Sequence, residues 1–190
     1  MTRKQTGYSS YRFHDTSNEQ FLKLANAILE RELSGFRFVA GVLTPITTPA
    51  EVEAIEEAAG ATASKGFQGA HVHLTNALLH LGKKPDPDYR NSIKESISAV
   101  ESVAKLISGE EAGGLEKALT KLSDATGIHS ALKSGFLKLY GYTSNEDGIR
   151  HAILEESDVG FIEAKYMLVA CSAFVSYLIS KADSGRMLPK

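Results

Sequence analysis

Residues 89–109 read YRNSIKESISAVESVAKLISG, and this stretch decides the fold class. Tyr89, Ile93, Ile97, Val100, Ala104 and Ile107 recur at steps of three and four, which gathers them on one stripe of an α-helix. Arg90, Lys94, Glu101 and Lys105 fall within about 60° of one another beside that stripe and form a charged seam. A helix with one apolar stripe needs a partner surface, so the segment predicts a bundle rather than a sheet.

The partner is found near the other end of the chain. Phe161, Ala164, Leu168, Cys171, Val175 and Leu178 repeat the same spacing, and Met167, Phe174 and Ile179 widen the apolar face, so a central helix is predicted from about Asp158 to Lys181. The apolar run Tyr166 to Ile179, interrupted by Ser172 and Ser176, is shorter than the roughly 20 residues that span a bilayer, and it reads as a buried helix with no membrane contact. Cys171, the single cysteine, lies within it as an inert core thiol.

The remaining elements follow from local signals. Thr16 and Glu19 make a capping box before Phe21, Leu22, Leu24, Ala25, Ile28 and Leu29, predicting a helix to about Leu33. FRFVAGVLTPIT around Gly41 predicts a small β-hairpin near residues 36–46. Thr48 and Pro49 open an acidic helix that Gly60 is expected to stop. A further helix is expected from Ala63 to Leu81, with Phe67, Ala70, Leu74, Ala77, Leu78 and Leu81 inward. Shorter helices are expected over Leu115–Leu122 and Ile128–Tyr140. The fold class is therefore mainly α, as one helical domain over residues 16–183 between a flexible segment, 1–15, and a tail, 184–190.

Composition narrows the function. With 190 residues, 43% hydrophobic and 23% charged, the chain has ordinary globular composition, and a net charge of -2 gives no general field for nucleic-acid backbone. The first residues have no signal-peptide core, and together with the lone cysteine this points to the cytosol. His71, His73 and His80 lack the spacing of a metal site, and no cofactor is expected.

Chemistry concentrates in LYGYTSNEDGIRHAILEES, residues 139–157. Gly141 is expected to reverse the chain, Ser144 to cap a new helix, and Asp147 to complete a capping box. Arg150 and His151 then stand about 100° apart on that helix as the candidate catalytic pair, a phosphate-binding cation beside a group that exchanges protons near neutrality. Arg90, Asn91, Lys94, Tyr142 and Asp147 complete the candidate binding set.

The runs PDYRNSIKESISAVESVAKLISG, IHSALKSGFLKLYGYTSNEDGIRHAILEES and EAKYMLVACSAFVSYLISK, with ELSGFRFVAGVLTPITTPAEVEAIEEA upstream, resemble the C-terminal region of AbiJ-type abortive-infection proteins. These bacterial phage-defence proteins have bundles similar to the HEPN superfamily, and an N-terminal domain usually precedes this region. The resemblance covers roughly Phe21 to Lys181 and implies a homodimer with RNA or a partner protein as its target. HEPN ribonucleases use an Arg and a polar residue, then a His roughly four to six residues further on. Arg150-His151 and Arg90-Asn91 match the opening, but Glu155, Glu156 and Ser157 follow the first, and Glu95, Ser96 and Ile97 the second. The resemblance thus implies a defence or toxin–antitoxin module with a degenerate motif. The alternatives are an active metal-independent endoribonuclease with a spatially rearranged Arg/His site, and a purely structural or regulatory all-α protein.

Overall fold

The structure, a computed structural model, describes residues 10–63, 66–110, 112–144 and 159–185. Among them seven helices and one hairpin follow in the order α1 (Ser10–Arg31), β1 (Arg37–Val39), β2 (Val42–Thr44), α2 (Pro49–Thr62), α3 (Gln68–Gly82), α4 (Tyr89–Ser108), α5 (Leu115–Thr126), α6 (Ser130–Ser144) and α7 (Phe161–Ser184). α4 is the hub. It packs on α3, α7 and α5, while α2 covers another side of α7.

The predicted stripes are the core. Ile93, Ile97, Val100, Ala104 and Ile107 of α4 are buried, as are Ala164, Leu168, Cys171, Val175 and Leu178 of α7, and Tyr89 and Phe161 close the same interface edge to face at 6.3 Å. All six inward positions predicted between Phe67 and Leu81 are buried. A second face of α4, carrying Ser92, Ser96 and Ala99, packs closely because its side chains are small, and the Ser92 hydroxyl donates across to the Ala77 carbonyl at 2.9 Å. Burial pushes the Cys171 thiol far above its ordinary range, so it remains protonated.

Several boundaries differ from expectation. α1 starts at Ser10, so Thr16 and Glu19 lie inside the helix. Gly60 does not stop α2, because Ala58, Ala59 and Thr62 are buried and tertiary packing outweighs the roughly 1 kcal/mol that glycine costs a helix. α3 accordingly begins at Gln68 and not at Ala63. α5 runs on to Thr126, and Gly141 is not a reversal, since α6 continues through it to Ser144, the last residue described in that stretch. α7 begins at Phe161, with the Glu163 carboxylate accepting from the Gly160 N–H at 3.0 Å. Its 24 residues make it long and apolar enough to cross a membrane by length and composition, although half of its most apolar window is buried in the bundle.

The hairpin is the whole sheet among the described residues. Ala40 and Gly41, at φ 47° and 81°, join β1 and β2 in a two-residue turn of the kind that matches strand twist. α1 ends on Leu33 at φ 52°, where the Leu33 N–H reaches the Glu30 carbonyl and the Ser34 N–H reaches that of Leu29. This is the Schellman pattern, with leucine in glycine's usual place.

Candidate functional site

The first polar cluster lies where α3 and α4 run antiparallel. His73 and His80 are seven residues apart on α3, and Glu95 and Asp88 are seven apart on α4, so each histidine meets a carboxylate. His73 Nδ1 lies 2.7 Å from Glu95 Oε2, and His80 Nδ1 lies 3.8 Å from Asp88 Oδ2. Asp88 also caps α4, accepting from the Asn91 N–H at 3.1 Å and from its side-chain amide at 2.7 Å. Burial pushes the Asp88 carboxyl up, but the Asn91 hydrogen bonds and the His80 and Lys83 charges outweigh it and leave the group below its ordinary value.

This geometry redistributes the candidate residues of α4. Asn91 is half-buried and engaged by Asp88, Arg90 is half-buried and engaged as well, and Lys94 is exposed. Of the charged seam, Glu101 and Lys105 pair at 2.8 Å. Asp147, Arg150 and His151 lie outside the described residues, and Tyr142 falls in α6 with its side chain outside the description. Among the described residues no group of three metal-ligating side chains gathers.

The Tyr89–Phe161 contact sets the starts of α4 and α7 side by side. α2 joins them through Lys165 of α7, whose ammonium lies 2.7 Å from Glu51. The Lys165 hydrogen bond holds the Glu51 carboxyl below its ordinary range against the opposing effect of burial.

A second cluster surrounds α1. In the two-residue hairpin Val39 faces Val42 and Phe38 faces Leu43, which turns the Phe38 main-chain groups away from β2. Asn26 occupies that open edge, accepting from the Phe38 N–H at 2.7 Å and donating to the Phe38 carbonyl at 2.8 Å. Phe21 adds an edge-on contact to the Phe38 ring at 6.5 Å. Between α1, the hairpin and α2 runs a groove of about 660 Å³ lined by Glu19, Lys23, Glu30, Phe38, Glu56 and His71 among others. Family models, curated proteins and solved structures give no match to this chain.

Neither Asn26 nor the groove was singled out from sequence. The only available signal was the Val39-Ala40-Gly41-Val42 turn, which fixes the face on which Phe38 presents its backbone.

Proposed function

We propose that the chain is a HEPN-like helical module of a bacterial antiphage-defence or toxin-type system, acting in the cytosol by pairing with a second copy and binding RNA or a partner protein. One observation carries the pairing. Phe21, Leu24 and Ile28 lie within about 60° on α1 and are 60%, 63% and 44% exposed, while Leu33 at the helix end is 91% exposed. Together they expose roughly 400–500 Å² of apolar surface per chain, within the size range of the patches that are often functional on single domains. Two copies covering it would bury about 900 Å², which suits a weak, concentration-dependent dimer.

Binding without cutting is supported by α4. Glu95 stands where the HEPN pattern has histidine and is engaged by His73, and Asn91 is engaged by Asp88. The buried half of α7 supports its place as a core helix rather than a membrane span.

Sedimentation velocity tests the pairing. The expected result is a shift from monomer to dimer with rising concentration, abolished by Leu24→Glu with helix content retained. A monomer at every concentration rejects it.

A rearranged ribonuclease that joins Arg90 and Asn91 to Arg150 and His151 is the second reading. RNA cleavage by the whole chain, lost in both His151→Gln and Arg90→Lys with fold and dimer kept, would establish that reading in place of the first.

A further inference from the structure

On the side of α1 away from its exposed stripe, we infer that the groove is a binding site for a linear organic polyamine. Glu19, Lys23, Asn26 and Glu30 succeed one another at steps of four, three and four, so they share one face of α1 over three turns, about 16 Å. Asn26 is committed to Phe38, and the other three line the groove. The facing wall is α2, where Glu56, Ala59, Gly60 and Ala63 again share one face. Among the described residues, three carboxylates thus confront one ammonium. Among the described residues, no ion pair or hydrogen bond engages the side-chain carboxylates of Glu19, Glu30 or Glu56.

The histidine of the groove adds an acceptor. His71 Nδ1 lies 3.1 Å from the Ala59 carbonyl, which can only accept, so Nδ1 carries the hydrogen. In the neutral form of the ring the lone pair is then on Nε2. Among its described residues the groove is consequently rich in acceptors, has Lys23 as its cationic donor, and has apolar surface from Phe38, Ala59 and Ala63 between them. A ligand that complements it brings several N–H donors with positive charge, separated by methylene segments. A polyamine has that chemistry, and its flexible chain follows a groove open along its length.

Gly60 gives the inference a second footing. It sits inside α2 at helical φ, where glycine is disfavoured, yet a Cβ built there meets nothing within 4 Å. Its missing side chain widens the groove, and a large residue at the same place would project into that open space.

The test is calorimetric titration of the full chain with spermidine. The expected result is saturable binding of one equivalent per chain, weakened by salt. The double variant Glu30→Gln and Glu56→Gln should weaken it about five- to tenfold, since each exposed charge pair contributes modestly. Gly60→Leu should remove the saturable phase, with the thermal melt showing that each variant still folds. Leu24→Glu, which addresses pairing, should leave spermidine binding intact. Absence of saturable binding would overturn the inference, as would binding indifferent to both groove variants, which is the mark of diffuse surface attraction.

Discussion

The side chain of Asn26 reproduces the edge of a β-strand for Phe38: one oxygen receives the Phe38 N–H at 2.7 Å and one nitrogen donates to its carbonyl at 2.8 Å. No residue of α1 whose burial is described is fully buried, and β1 is the element it packs on most. This reciprocal pair, with the Phe21–Phe38 ring contact, ties the described part of α1 to the hairpin.

Replacing Asn26 by leucine should detach α1 locally. Two main-chain groups would lose their partner, a cost of about 1–3 kcal/mol where they stay shielded from water. Hydrogen exchange should accelerate across residues 17–31 and at Phe38, with α4 still protected. Equal acceleration in α4 would show that α1 and the core open as one unit.

The turn at Ala40 carries removable strain. A non-glycine residue at φ 47° is disfavoured by roughly 1 kcal/mol or more, whereas asparagine tolerates this region. Ala40→Asn should raise stability by about 0.5–1 kcal/mol in urea denaturation, with the hairpin register unchanged.

Leu168 lies fully buried where α7 meets the bundle. Leu168→Ala should cost about 2–5 kcal/mol by leaving a cavity. A loss under about 1 kcal/mol, measured by reversible denaturation, would mean that the neighbouring helices close the space.

Asp88 couples stability to acid. Its carboxyl is held below the ordinary value in the folded chain, so it contributes stability above the unfolded-state pKa of about 3.9 and loses that contribution as pH falls through the lower folded value. Asp88→Ala should cost about 0.5–2 kcal/mol at neutral pH, the usual effect of removing an N-cap. Denaturation at a series of pH values should show the gap narrowing in acid. A gap independent of pH would assign the effect to the cap's shape and not to its charge.

The bundle was legible because burial in α4 and α7 is one-sided, and that asymmetry prints a repeat of three and four into Ile93, Ile97, Val100, Leu168, Cys171 and Val175. The hairpin was legible from Gly41 and its flanking valines. Glycine misled at Gly60 and Gly141, because local propensity is worth about 1 kcal/mol and packing overrides it. The polar clusters were hidden for a different reason. His73 and Glu95 are 22 positions apart and Asn26 and Phe38 are 12 apart, and each pairing depends on a register between elements that no local pattern records. Of the candidate site, the α4 residues can be placed, and Arg90 and Asn91 prove to be already engaged.

The position of α7 in the order of elements has a consequence for biosynthesis. α3 and α4 are neighbours in the chain and can close on each other as soon as both have left the ribosome. α2 ends at Thr62, but the helix that covers it starts at Phe161, so the apolar faces of α2 and α4 that rest on α7 wait through the synthesis of everything between. At roughly 5–20 residues per second that interval lasts several seconds. Ribosome-bound chains halted before residue 161 should accordingly bind chaperones that recognise exposed apolar helices, and release them once α7 emerges.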